Sequence, residues 1–468
     1  MLPHPFTGYG TIPAIAYPPG NMLEFPKWLL SAHWTFSQRL GEKSELEPNT
    51  PNVGWADWEG IGFVLVMWGV SRLVVAIALV VIAPALPAPA GGVQPDFGWE
   101  VFSRWDSLLY QQIATLGYEY ADDGKGHLVA FFPLLPLLIR GLMRLGFSFA
   151  AAGTLLNHGA FLAALVILYR WVAEMQGRSA ARWATAVLAW LPASLFSSVV
   201  YTEALFLLFT TATLRAFEHQ RYGQTALWGA IATATRPTGL ALIPALLITT
   251  WRQKRPAIAY LASLSTGIGV FLFSLYCGWR FGDPVAFLKA QKGWDRAVGL
   301  PWQGWLKILT QITVGPVDWT NGVVKDPWHP ILIGLLLGIA YALWKSRQRI
   351  GTIAMGYGFC VLGVLLWALV GDPLINAIAV FGSLYLLWHL RTALPPIVWI
   401  YGLCGLALIL LSGSTWSLSR IVYGVVSPTI ALGLLLSRHP RWGYVVISFC
   451  AILLILFAVR FAQGLWIG

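Results

Sequence analysis

Charged side chains are scarce in this chain: Asp, Glu, Lys and Arg make up 11% of its 468 residues, while 57% are hydrophobic. A soluble domain carries about 25% charged residues, so a single core surrounded by water cannot hide this much apolar surface. Lipid requires backbone hydrogen bonds to be satisfied within each spanning segment, which favours helices. The composition therefore predicts an all-α polytopic membrane protein. Its hydrophobic segments suggest about 11–13 transmembrane helices, some of them shorter than the roughly 20 residues that a straight crossing needs.

Cysteine and the common catalytic motifs are also scarce or missing. The four cysteines are spaced in a way that suggests neither a disulfide framework nor a metal site. The sequence has no P-loop, no His-Glu-x-x-His, no Gly-x-Ser-x-Gly and no dinucleotide fingerprint. The net charge of +11 does not indicate a nucleic-acid partner, because the basic residues fall in short junctions between hydrophobic runs.

The hydrophobic pattern divides the chain into four regions. They are a cytoplasmic N-terminal tail at 1–60, a first membrane module at 61–280, an external loop at 281–329 and C-terminal transmembrane helices at 330–468. In the first region, residues 23–40 are expected to form a helix on the membrane surface, with a flexible tail as the alternative. In the second region, residues 88–128 are acidic and form the predicted first external loop.

The distribution of charge predicts the orientation of these regions. The basic junctions are Arg170/Arg178/Arg182, Arg215/Arg221, Arg252/Lys254/Arg255, Lys345/Arg347/Arg349, Arg391 and Arg438/Arg441. If all of them lie in the cytoplasm, segment 129–146 must not cross fully, and 225–250 must be a hairpin bent at Arg236-Pro237. In the alternative arrangement each segment crosses once, which moves two basic junctions outside.

Several ionisable residues fall where lipid would make them costly, which indicates a cavity or a function. Asp106, in "RWDSLLYQQIATLGYEY", lies beside an apolar helical stripe and is a candidate general base; a solvated side chain is the alternative. Glu203 is a second candidate, although it could simply favour a helix N-terminus. Arg236 and Arg420 suit a phosphate, with ion pairs to Glu203 or Asp106 as the alternative. For Arg72, in the first span, we expect a structural pair.

Six short stretches, taken together and in order, resemble the PIG-V family of mannosyltransferases, which have the GT-C type of membrane fold. The stretches are "RWDSLLYQQIATLGYEY", "AFFPLLPLLIR", "VVYTEALFLL", "ATATRPTGL", "GDPVAFLKAQKGW" and "SLSRIVYGVVSP". The resemblance implies a GT-C-type fold whose first external loop carries membrane-parallel helices. The chain departs from the family pattern at Pro237-Thr238 and at Ile421, which leaves the acceptor and the sugar open.

The resemblance also implies an inverting glycosyltransferase in which Asp106 is the essential carboxylate and general base. The residues expected to bind the donor phosphate or sugar are Arg236, Arg420, Lys289, Glu203 and Tyr201. The residues expected to contact the acceptor or shape the site are Arg104, Trp105, Gln112, Phe132, Asp283 and Gln291. No cofactor or metal is required on this interpretation; a divalent metal between Asp106 and Glu203 is the alternative.

The expected partners are a polyprenyl or dolichyl phosphate sugar donor, a lipid-linked or glycolipid acceptor and the surrounding membrane lipids. The site is expected on the non-cytoplasmic face of a bacterial plasma membrane, or of the endoplasmic reticulum in a eukaryote, with the N-terminus cytoplasmic. A multi-span lipid or sugar transporter or flippase is the alternative function, because intramembrane charges and broken helices suit it too. A non-catalytic scaffold subunit is a third.

Overall fold

The computed structural model describes residues 57–294, 299–318 and 323–467. The predicted surface helix at 23–40 lies outside these residues. The described chain is almost entirely helical, and its one sheet is a two-stranded antiparallel hairpin, β1 (Val317–Asp318) with β2 (Val323–Val324). The predicted class, an all-α membrane protein, is confirmed.

The helices fall into an N-terminal and a C-terminal series. The first series is α1 (Trp58–Ala85), α2 (Asp106–Leu116), α3 (Leu134–Met143), α4 (Phe149–Trp190), α5 (Glu203–Glu218), α6 (Tyr222–Thr233), α7 (Leu242–Arg252), α8 (Ala257–Ser265), α9 (Ile268–Phe281) and α10 (Ala286–Lys292). The second series is α11 (Trp302–Thr313), α12 (Trp328–Lys345), α13 (Arg347–Ile350), α14 (Thr352–Val370), α15 (Asp372–Ala377), α16 (Ser383–His389), α17 (Pro396–Leu410), α18 (Leu418–Tyr423), α19 (Val426–Arg438) and α20 (Pro440–Ala462).

Five of the described helices, α1, α4, α12, α14 and α20, are long and apolar enough to cross a membrane, and the pair α8–α9, bent by 43°, makes a sixth if it is one span. Other apolar helices are shorter, because Gly and Pro residues interrupt the hydrophobic runs. The number of 11–13 transmembrane helices, which counted such shorter runs, stays a prediction.

Ion pairs join the basic junctions of the N-terminal series at one end of the helices, called here the basic end. Arg215 Nη2 lies 2.7 Å from Glu174 Oε1, and Arg255 Nη2 lies 3.6 Å from Glu218 Oε2. The α4 backbone breaks beside this cluster at Gly177, where φ is 83°. The two halves of α4 therefore run down to the basic end and back again, and α5 runs down to it once more.

The segment predicted to form a hairpin does so. Helices α6 and α7 flank a break at Arg236 and the short 3₁₀ turn Pro237–Ala241. The Arg236 guanidinium reaches Glu203, at the far end of α5, while Glu218 and Arg255 meet at the basic end. The chain thus rises from the basic end to the level of Glu203 and returns, as expected from the distribution of basic residues. Which end faces the cytoplasm stays a prediction.

Segment 129–146 contains the end of a short 3₁₀ helix, Leu128–Ala130, and the ten-residue helix α3. Ten helical residues rise about 15 Å, half of a hydrocarbon core of about 30 Å, so α3 is too short to cross. Its Arg140 side chain donates hydrogen bonds to the carbonyls of Ala114 and Thr115 at the end of α2, at 2.6 and 3.0 Å. This contact holds α3 beside α2, as expected of a segment that belongs to the external loop.

Arg72, in the middle of α1, is buried, and its recorded hydrogen bonds go to neutral oxygens rather than to a carboxylate. Its guanidinium donates to the carbonyls of Ala189 and Ser194 and to the hydroxyls of Ser194 and Ser198, at 2.7–3.0 Å. The Phe161 ring lies 4.7 Å from the guanidinium carbon. Arg72 therefore binds the C-terminal end of α4, where a cation also suits the helix dipole. The structural role expected for Arg72 fits this geometry, with carbonyls as partners.

Candidate active site

Two arginines and two carboxylates converge at the end of the helices opposite to the basic end. Arg420 Nη1 lies 2.7 Å from Asp106 Oδ2, and Arg236 Nη1 lies 2.7 Å from Glu203 Oε1. A weaker contact of 3.6 Å joins Arg420 Nε to Glu203 Oε1. Glu203 thus lies between both guanidinium groups, and the four side chains form one network from four separate parts of the chain.

The four side chains differ in how much of their surface is exposed. The Glu203 side chain is 1% exposed and those of Arg420 and Arg236 are 10% and 12% exposed, whereas Asp106 is 21% exposed. Each of these side chains has an oppositely charged group within hydrogen-bonding distance, which offsets part of the cost of burial. Asp106 is the member nearest to solvent, at the mouth of the network.

Asp106 is held at the mouth by the backbone on both sides of it. It is the first residue of α2, and the preceding Trp105 has φ 56° and ψ −121°, which is rare for a bulky residue. The Ser107 hydroxyl donates to the carbonyl of Val200 at 3.0 Å. The Trp105 ring packs edge-on against Trp466, with centroids 5.2 Å apart. Strain of this kind costs about 1–3 kcal/mol and is concentrated at functional sites.

The segment 199–202 connects α2 to α5. The Asn157 amide donates to the carbonyls of Val199 and Tyr201, at 2.5 and 2.8 Å, and the backbone N–H of Val200 donates to Phe102. The Tyr201 hydroxyl accepts from the backbone N–H of Asp106 at 3.3 Å. This segment therefore links the start of α2 to Glu203, the first residue of α5.

The two arginines reach the network from breaks between helices. Arg236 lies in extended backbone between α6 and the following 3₁₀ turn, because the proline after it disfavours helical backbone at this position. Arg420 lies in the short helix α18, which follows Ser417 in a left-handed conformation with φ 57°. The Asn376 side-chain oxygen accepts from the backbone N–H of Ser419 at 2.8 Å and fixes this turn.

Tyr110 is a site residue that the sequence analysis missed. It is buried one helical turn after Asp106, and its hydroxyl is close enough to Asp106, Arg236 and Glu203 to interact electrostatically. Burial raises the pKa of this phenol well above its usual value, so it stays protonated. The i, i+4 spacing from Asp106 was the available signal, but the tyrosine also fits the apolar stripe.

Lys289 and Asp283 belong to a second cluster. Lys289 Nζ lies 2.8 Å from both Asp122 Oδ2 and Asp283 Oδ2. The hydrogen bond from Lys289 lowers the pKa of Asp283 below its usual value, and the hydrogen bond with Asp122 raises the pKa of Lys289. These contacts join the first external loop to the 281–329 region. The contacts recorded for Lys289 are with these carboxylates, and none joins it to Arg236 or Arg420.

The remaining predicted site residues have mixed surroundings. The Gln291 side chain donates to the carbonyl of Ala130 at 2.9 Å, and Phe132 packs against Phe273 and Phe287. Gln112 is exposed, on α2. The carbonyl of Arg104 accepts a hydrogen bond of 3.4 Å from the Tyr201 hydroxyl. Trp105 and Arg104 therefore border the charged network, whereas Gln291 and Phe132 hold the external loops together.

The network offers charged groups for a phosphate but has few free carboxylate oxygens for a metal. Among the described residues there is no group of three or more His, Cys, Asp or Glu side chains that could hold a metal ion. Asp106 and Glu203 each contact an arginine. The arrangement suits an anionic substrate bound by guanidinium groups beside a carboxylate that can accept a proton.

The fold is that of a multi-span membrane protein, and the site is a network of charged side chains at one end of its helices. Residues 92–292 match the model of the mannosyltransferase (PIG-V) family, which confirms the family resemblance carried by the motifs. The match includes Asp106, Glu203 and Arg236. Arg420 lies beyond it, so the network is completed from outside the matched region.

Two curated relatives also match about half of the chain. Human GPI alpha-1,6-mannosyltransferase 2 is 28% identical over an alignment of 260 residues, and the match covers 48% of this chain and 52% of the human protein. The enzyme of the same name from Cricetulus griseus is 26% identical, with the same coverage. The chain therefore spans about half the length of the curated relatives that it matches.

Two solved structures also align with the chain at low similarity. The archaeal oligosaccharyltransferase AglB from Archaeoglobus fulgidus, in complex with an inhibitory peptide and a dolichol-phosphate, aligns over 88% of this chain and 57% of its own, with 13% identity and a TM-score of 0.44. ArnT from Cupriavidus metallidurans, bound to undecaprenyl phosphate, aligns over 86% of this chain and 78% of its own, with 13% identity and a TM-score of 0.37.

Proposed function

We propose that the chain is an inverting mannosyltransferase that transfers a sugar from a polyprenyl or dolichyl phosphate donor to a hydroxyl of a lipid-linked or glycolipid acceptor. The observation that carries the proposal is the network itself: a partly exposed carboxylate, Asp106, beside two buried arginines that come from distant parts of the chain. The match to the mannosyltransferase (PIG-V) family over residues 92–292 supports the sugar and the reaction class.

In the proposed reaction the acceptor oxygen attacks the anomeric carbon from the face opposite to the phosphate. A new carbon–oxygen bond forms to the acceptor, and the bond between the anomeric carbon and the phosphate oxygen breaks. The electron pair of that bond leaves with the polyprenyl phosphate, and the acceptor proton passes to the Asp106 carboxylate. Arg236 and Arg420 stabilise the charge that grows on the leaving phosphate.

The test is the substitution Asp106→Asn, which keeps the size of the side chain and removes the base. We expect transfer of mannose from polyprenyl-phosphate mannose to fall by about a hundredfold or more, because general base catalysis typically contributes this much. The measurement is mannose incorporation into glycolipid by the purified protein.

The matched control is Asp96→Asn, an exposed aspartate in the same external loop, which should transfer at the wild-type rate. A transfer rate of Asp106→Asn close to that of wild type would refute the role of Asp106 as the general base. A transporter or a scaffold would have no transfer activity to lose, so wild-type protein inactive with every glycolipid tested would favour those alternatives.

A further inference from the structure

The charged network contains as many carboxylates as arginines. Asp106 is paired with Arg420, and Glu203 with Arg236, so the four side chains have no net formal charge. A lipid phosphate that approaches this network meets guanidinium groups that already bind carboxylates. The phosphate must therefore either accept hydrogen bonds from the N–H groups that the carboxylates leave free, or displace one of the carboxylates.

The carboxylate that can be displaced is Asp106. Glu203 is 1% exposed, and it contacts both arginines, so its removal from the network would leave a charge buried away from water. Asp106 is 21% exposed, and the contact recorded for its carboxylate is with Arg420 alone. If the Asp106 carboxylate leaves Arg420, water can solvate it. Displacing Asp106 therefore costs less free energy than displacing Glu203.

The pairing also limits Asp106 as a base. A carboxylate oxygen that accepts a hydrogen bond from a guanidinium has one of its lone pairs occupied, so that lone pair is not available to an acceptor hydroxyl. The ion pair of 2.7 Å between Asp106 Oδ2 and Arg420 Nη1 must therefore open before this oxygen can accept the proton of an acceptor hydroxyl.

We propose that the donor phosphate and the Asp106 carboxylate compete for Arg420, so that donor binding releases Asp106 to accept the acceptor proton. This inference rests on the proposed function. In the exchange, the hydrogen bond from Arg420 Nη1 to Asp106 breaks and one from Arg420 to a phosphate oxygen forms. The guanidinium thereby acts as a positioning group for the base, and the donor binds before the acceptor hydroxyl can be deprotonated.

Competition makes a prediction that a merely structural ion pair does not. Asp106→Asn removes the competing charge, so it should bind a sugar-free polyprenyl phosphate more tightly than wild type although it is inactive. Coupling free energies of this kind correspond to about fivefold or more in affinity. The probe is farnesyl phosphate, and the measurement is its dissociation constant for the full-length protein in detergent.

Four further variants complete the experiment. Asp106→Ala, which removes the same charge without adding an amide, should also bind the phosphate more tightly, and it replaces Asp106→Asn if that variant does not fold. Asp96→Asn should bind like wild type. Arg420→Gln should bind more weakly, whereas Arg349→Gln, at an exposed arginine of α13, should not.

Affinity for farnesyl phosphate that is unchanged or weaker in both Asp106 variants would overturn the competition. The binding measurement needs no sugar transfer, so its failure is separate from failure of the proposed function. Unchanged affinity with lost transfer would leave Asp106 as a base without competition. Tighter binding together with undiminished transfer would instead refute the role of Asp106 as base.

Discussion

At the scale of single residues, the site depends on which charges are paired. The sequence identified Asp106, Glu203, Arg236 and Arg420 from the cost of charges at membrane depth, and the structure brings these four together. The alternative considered for the arginines, an ion pair, is also present. An ion pair with a carboxylate and a role in phosphate binding are compatible, because a guanidinium can exchange one anion for another.

Arg72 gives a prediction about stability at the same scale. Arg72→Met keeps a long side chain but removes four hydrogen bonds to the end of α4 and to the turn that follows it. We expect a loss on the order of 2 kcal/mol, because hydrogen bonds inside membrane proteins average about 0.6 kcal/mol each. Unfolding in detergent, followed by denaturant titration, measures the loss.

Arg72→Lys should retain part of this stability, since an ammonium can still donate to Ser194 and Ala189. The control is Arg349→Gln, which should unfold like wild type because this arginine is exposed on α13. Equal stability of Arg72→Met and wild type would show that the carbonyls find other partners.

At the scale of elements, the position of Arg236 depends on how closely α9 approaches α6. A Cβ atom at Gly269 would lie 2.0 Å from the carbonyl oxygen of Ala230 and 2.6 Å from the backbone nitrogen of Ala234. Gly269→Ala must therefore separate the two helices at the end that carries Arg236. We expect a cost of about 1–3 kcal/mol and a higher KM for the donor, measured by unfolding and by transfer kinetics.

The matched control for this substitution is Gly62→Ala in α1, where a Cβ atom would meet nothing within 4 Å. It should leave stability and the donor KM unchanged, or raise stability slightly through helix propensity. A Gly269→Ala variant that matches this control in both measurements would contradict the close packing of α9 on α6.

A second prediction at this scale concerns Lys289, which the sequence analysis assigned to the donor phosphate. Its contacts with Asp122 and Asp283 instead favour a role in joining the two external loops. Lys289→Gln should therefore increase amide hydrogen exchange in residues 118–128 while the donor KM changes less than twofold, a difference of about 0.4 kcal/mol. A large rise in donor KM without faster exchange would restore the original assignment.

The contact between Lys289 and Asp283 should also tolerate acid. The folded pKa of Asp283 is lowered by its hydrogen bond from Lys289, so the contact contributes fully above the usual Asp pKa of 3.8 and is lost only as pH falls through the lower folded value. The protection of residues 118–128 of wild type against hydrogen exchange, relative to the unstructured rate at the same pH, should accordingly stay constant between about pH 5 and pH 8.

At the scale of the whole molecule, the helices alternate between the basic end and the end that carries the charged network. The positive-inside rule predicts that the basic end is cytoplasmic. Single cysteines introduced at Glu119, in the first external loop, and at Gln253, in the basic junction after α7, test this in a variant without the four native cysteines. Both positions are exposed.

A membrane-impermeant maleimide added to intact cells should label the cysteine at position 119, and should label the one at 253 only after the membrane is permeabilised. Labelling of both positions in intact cells, or of 253 alone, would contradict the predicted orientation. Labelling of both only after permeabilisation would contradict it as well.

The sequence was sufficient for the class, the broken hairpin and most of the charged residues. Each of these depends on local chemistry: apolar runs require lipid, Arg236-Pro237 interrupts a helix, and an isolated charge in an apolar run is costly. The boundaries of the four regions, the metal independence and the cellular location remain predictions of the same kind.

Only the tertiary structure decided which charges meet. Asp106 and Arg420 are 314 positions apart, and no local pattern distinguishes Arg420 from Lys289 as the cation nearest to Asp106. The role of Tyr110 could not be predicted for a related reason. The sequence pattern of a tyrosine on an apolar stripe is the same whether the side chain faces lipid or a carboxylate. Sequence determined that charges had to be compensated within the membrane, because an uncompensated charge there is too costly; helix packing decided their partners, because ion pairing depends on distance.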